Sequence, residues 1–99
     1  MAEIDRLFHV LVDNGGSDLH LRVGRTPLVR ADGEMVPLQD EALLTADDLE
    51  RMIAEIFPDK NAKEYAEVHD TDFAYEIVDL LRLRCNVVID RFGMTAVFR

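Results

Sequence analysis

Two groups of residues have the types and spacing to do chemistry. In the first, Asp18, His20 and Arg22 alternate with Leu19, Leu21 and Val23. Successive side chains of a strand point to opposite faces, so the three apolar groups can be buried while a carboxylate, an imidazole and a guanidinium share one polar surface. In the second, Arg82, Arg84 and Asn86 alternate with Leu81, Leu83, Cys85, Val87 and Ile89, and Arg91 and Arg99 follow with only Asp90 to offset them. Arginine rather than lysine dominates this stretch, which suits bidentate recognition of a carboxylate or phosphate.

Neither group amounts to an active site. Gly15-Gly16 is followed by Ser17-Asp18 with no lysine behind it, so it is not the G-x-x-x-x-G-K-[ST] phosphate cradle. G-x-S-x-G, H-E-x-x-H and C-x-x-C patterns are missing as well. His9, His20 and His69 fall in three different expected elements, so no metal site is assigned. Cys85 is expected to be an inert packed thiol, and as the single cysteine it rules out an internal disulfide. The chain is expected to hold no catalytic residue and no cofactor of its own.

Composition narrows the class further. Ninety-nine residues, 48% hydrophobic and 31% charged, fit one soluble globular domain. No apolar run approaches the roughly 18 residues of a membrane span, and no basic region leads into an apolar run at the start, so a cytoplasmic protein is expected. A net charge of −9 argues against nucleic acid as a partner. That charge is uneven. Between Asp40 and Asp72 carboxylates outnumber Arg51, Lys60 and Lys63, whereas the stretch from Leu80 onward is basic.

The elements that must position these residues are marked by period and punctuation. Ile4, Leu7, Phe8, Leu11 and Val12 recur at helical spacing until Asn14-Gly15-Gly16. Strands are expected over 18–23 and 27–31, with Asp32-Gly33 as a hairpin turn into a strand over 34–38. Thr45 and Asp48 form a short capping box, with Leu44 and Leu49 as its staple, for a helix whose stripe is Leu49, Met52, Ile53, Ile56 and Phe57 and which Pro58 ends. A weaker helix is expected over 62–68. Strands follow over 71–77, 81–89 and 94–98, with Asp90-Arg91-Phe92-Gly93 as the last turn. The order predicts a single α+β domain over 1–99, a mostly antiparallel sheet with helices packed on one face.

Six fragments in order, S-D-L-H-L, P-L-V-R-A-D-G-E, L-T-x-x-D-L-E-R-M, D-F-A-Y-E, R-L-R-C-N and A-V-F-R, span nearly the whole chain. Together they resemble the amino-terminal, PAS-like domain of the type II secretion and type IV pilus ATPases, most of all the pilus-retraction (twitching motility) branch. The resemblance implies a PAS-like fold, and a following RecA-like domain that carries the Walker motifs and binds ATP and Mg2+. It also implies a hexameric ring with contacts between neighbouring subunits, and a pilus or secretion platform protein at the inner membrane as partner. On it, Arg84 matches the arginine of the family's R-V-N pattern and Arg99 the one closing its final strand. Both are implied to contact nucleotide phosphates, with Arg82 as a third. Asp18, His20 and Arg22 are implied to make polar contacts within the domain or with the RecA-like domain.

Val78-Asp79-Leu80 stands where relatives often have Pro-Gly, and Leu83 and Cys85 replace phenylalanine and valine. Since the chain stops at Arg99, where the ATPase domain would begin, an excised domain that neither binds ATP tightly nor hydrolyses it is expected. The other reading is a stand-alone PAS-like sensory or adaptor module.

Overall fold

The computed structural model describes residues 2–99. Along the chain run α1 (Asp5–Asp13), β1 (Asp18–Arg22), β2 (Leu28–Ala31), β3 (Glu34–Pro37), α2 (Ala46–Ala54), α3 (Asp59–Val68), β4 (Asp70–Ile77), β5 (Leu81–Asp90) and β6 (Gly93–Phe98). The strands form one sheet in the order β3-β2-β1-β6-β5-β4, and every neighbouring pair is antiparallel. This is the α+β, PAS-like arrangement that the residue pattern and the resemblance lead one to expect. The last strand to be made, β6, lies at the centre, between β1 and β5.

All three helices pack on one face. Alternation turns Leu19, Leu21, Val87, Ala96 and Phe98 toward them, and each of these side chains is buried. Phe8 of α1 meets Phe98 edge-on at 5.0 Å and Tyr75 at 5.6 Å between ring centroids. Leu49, Met52 and Ile53 bury the stripe of α2. Asn61 of α3 is itself buried, and its amide donates to Thr71 Oγ1 at 2.7 Å and to the Asp72 carbonyl at 2.8 Å, tying α3 to β4. The opposite face, with Asp18, His20, Arg22, Arg82 and Arg84, is not covered by a helix of the described residues.

Local chemistry sets most boundaries. Thr45 Oγ1 accepts from the Asp48 amide at 3.0 Å while the Thr45 amide donates to Asp48 Oδ2 at 3.3 Å, so the capping box forms. Asp32 and Gly33 both take positive φ, at 51° and 81°, as a two-residue hairpin with native strand twist requires. Three expectations need correction. The helix expected over 62–68 begins earlier, at Asp59, because Pro58, with ψ of 148°, is its extended N-cap as well as the stop for the preceding segment. Ile56 and Phe57 lie beyond the end of α2, in a turn whose amides bond to the Ile53 carbonyl. The last turn is Arg91-Phe92 alone, since Asp90 and Gly93 pair within the ladder. Among the described residues no helix is long and apolar enough to cross a membrane.

Candidate functional site

The uncovered face of the sheet brings the two chemical groups together. Asp18 is their meeting point. Its Oδ1 accepts from the Ser17 hydroxyl at 2.8 Å, and its Oδ2 lies 3.7 Å from His20 Nε2, 4.0 Å from Arg30 Nε and 3.5 Å from Arg99 Nε. The Ser17 hydroxyl, then the charges of His20, Arg30 and Arg99, hold the Asp18 carboxyl below the usual carboxylate range against the opposing effect of burial. His20 Nε2 is buried without a hydrogen bond, its distance to Asp18 being too long for one. Leaving a buried polar group unmatched costs about 1–3 kcal/mol.

Arg22 shares the face with Asp18 and His20 and does not join them. It reaches instead to Asp90 on β5, donating from Nε at 3.2 Å and from Nη2 at 2.7 Å. Asp90 also accepts from Thr95 Oγ1 at 3.0 Å and from the Phe92 amide at 2.8 Å. The Arg22 hydrogen bonds, followed by the Phe92 amide, pull the Asp90 carboxyl down to about 2. The Phe92 ring adds a cation–π contact, with the Arg22 guanidinium carbon 5.4 Å and that of Arg91 4.9 Å from its centroid.

Arg84 and Arg99 are brought side by side. Their backbones exchange two hydrogen bonds of 2.9 Å, which closes the β5–β6 ladder one residue past the end of β6. A cavity of about 160 Å3 lies there, lined by Asp72, Arg84, Cys85, Asn86, Val97 and Arg99. Directly paired residues that exchange both backbone bonds have Cα atoms about 5.5 Å apart, close enough for like charges to repel. Asp18 offsets Arg99, whereas no ion pair of Arg84 is formed among the described residues. Arg82 stands two residues before Arg84 on β5, exposed, with Glu76 Oε1 4.0 Å from its Nη1. It does not line the cavity. Burial pushes the Cys85 thiol up to about 12, the state of a packed group with no nucleophilic character.

The sequence alone does not single out Asp90 as the partner of Arg22, or Arg30 as a neighbour of Asp18. Asp90 is expected in a turn, whereas it is the last residue of β5, and the alternation that runs from Arg82 through Arg84 and Asn86 turns it to the polar face. Arg30 faces Asp18 only because the β1–β2 register pairs those two positions. Alternation around Val29 was the one signal available for it. Among the described residues no cluster of three metal-ligating side chains is present.

No family model matches the chain. Over 98% of its length it is 32% identical to the type IV pilus retractation ATPase PilT of Pseudomonas aeruginosa, of which it covers 28%. It is 25% identical over 90% of its length to the type IV pilus ATPase PilU of the same organism, covering 23% of that protein. The crystal structure of the pilus retraction motor PilT with bound ADP matches 100% of this chain and 29% of its own, with a TM-score of 0.87 and 27% identity. The Legionella pneumophila ATPase DotB shares the fold, with a TM-score of 0.79 at 18% identity over 97% of this chain and 27% of its own. The chain thus spans between 23% and 29% of the length of these relatives.

Proposed function

We propose that this chain, a homologue of the N-terminal domain of PilT-type pilus ATPases, serves as that domain in a hexameric pilus-retraction or secretion motor. In that assembly it presents Arg84 and Arg99 to the phosphates of ATP and Mg2+ bound by a RecA-like domain, and moves against that domain to turn hydrolysis into work. Its partners are then its own ATPase domain, the neighbouring subunits and a platform protein at the inner membrane, and its place is the cytoplasm beside that membrane.

The observation that carries this reading is the Arg84–Arg99 pair. Two cations set directly opposite each other on the uncovered side of a sheet disfavour the fold. An arrangement of that kind is relieved by an anion that takes both guanidinium groups, and phosphate oxygens accept such bidentate bonds well. A guanidinium brought against the charge that develops on a transferring phosphoryl group lowers the barrier. Arg82, outside the cavity, is a lesser contributor on this geometry.

The test starts from the source locus. Translation in frame beyond the Arg99 codon is expected to reach a G-x-x-x-x-G-K-[ST] loop and an acidic Walker B strand. In the resulting full-length protein, Arg84→Ala is expected to lower kcat by about 100-fold or more with the oligomer intact. A stop codon after Arg99, or an Arg84→Ala enzyme with unchanged kcat, would return the chain to the stand-alone module reading.

A further inference from the structure

A second pocket lies on the uncovered side of the sheet, at the connection between β1 and β2. It has a volume of about 250 Å3, and Arg22, Arg25, Thr26, Leu28 and Thr95 line it together with His20. A neighbouring concavity shares Arg25, Thr26 and Leu28 and continues over Pro37 and Leu43, a residue that is 64% exposed. We infer that this pocket receives a carboxylate side chain from an acidic partner protein, with the apolar shelf of Leu28, Pro37 and Leu43 taking an apolar neighbour of that carboxylate.

The chemistry of the lining supports this occupant. Asp90 holds Arg22 through Nε and Nη2, so the guanidinium is fixed in place while Nη1 has no partner among the described residues. Arg25 is exposed, and no carboxylate of the described residues pairs with it. Its loop is braced, because the Gly24 amide donates to the Leu44 carbonyl at 2.7 Å and the Leu44 amide donates to the Arg25 carbonyl at 3.0 Å. A braced loop loses less freedom when a ligand arrives. The chain has a net charge of −9, yet here two arginines face a single acid, Asp90, so the pocket is locally opposite in sign to the molecule around it. Charge complementarity of that kind selects an anionic partner. The apolar shelf offers nothing to the further oxygens of a free phosphate, which favours a carboxylate carried on a side chain.

This site is separate from the arginine pair at Arg84 and Arg99, and its failure leaves the nucleotide reading untouched. The test uses the 99-residue chain, 15N-labelled, titrated with a blocked peptide of alternating glutamate and leucine and, separately, with inorganic phosphate. The expected result is a set of peptide-induced shifts at the amides of Arg22, Thr26, Leu28 and Thr95 that weaken with salt. Arg25→Glu should reduce the peptide affinity by tenfold or more, and Leu43→Ser by a smaller factor. Both positions are exposed, so neither variant is expected to disturb the fold. Unchanged affinity in Arg25→Glu, shifts centred on Arg84 and Arg99, or phosphate binding as tightly as the peptide would each overturn the assignment.

Discussion

At the scale of single residues, Asp18 and Asp90 on the uncovered sheet face are each shared among several donors. Asp90 is the clearest case. Its carboxyl is held at about 2 in the fold, below the ordinary value near 3.9, so its contacts stabilise the folded state above pH about 4 and are lost as pH falls toward 2. Stability of the wild-type chain should therefore decline across that window, and Asp90→Asn should flatten the decline, as read by urea unfolding at a series of pH values. Tyr75 makes a different demand. Its hydroxyl donates to Asp5 Oδ1 at 2.6 Å, and burial, with Asp5 second, pushes the phenol up to about 12. Asp5 is only 6% exposed, so Tyr75→Phe leaves a buried carboxylate short of a donor and is expected to cost about 1–3 kcal/mol in denaturant unfolding.

At the scale of elements, the helix and hairpin ends are held by short-range devices. Thr45→Ala removes the hydroxyl half of the α2 capping box and should cost about 1 kcal/mol, measurable as a shift in urea midpoint with unchanged m. The exit from α1 is tighter. A Cβ placed on Gly16 would lie 2.5 Å from Val29 Cγ1, 2.7 Å from Leu11 Cδ1 and 3.1 Å from the Arg30 carbonyl oxygen. The two side chains are packed in the core and the carbonyl belongs to the β2 backbone, so none can move freely. Gly16→Ala is expected to destabilise by about 1–3 kcal/mol in a thermal melt. The capping box, the Asp32-Gly33 turn and the α1 stop were legible from the residues, because each is decided within a few positions. The start of α3 was not, since a proline that can end one segment can equally cap the next.

At the scale of the whole molecule, β6 holds the fold together and carries the functional edge. Phe98, fully buried against Phe8, ends the same strand that delivers Arg99 to Arg84. Phe98→Ala is expected to cost about 3–5 kcal/mol by chemical denaturation, a large part of the roughly 5–15 kcal/mol available to a domain. Which residues share a face, the α2 capping box and the Asp32-Gly33 turn follow from alternation and capping between near neighbours, and these were readable in the linear chain. The partners across the sheet were not. Arg22 and Asp90 stand 68 positions apart, and Asp18 meets Arg99 because β6 inserts between β1 and β5. Strand order and register depend on burying all the apolar faces at once under three helices. That is a property of the assembled core, and no local stretch of residues encodes it.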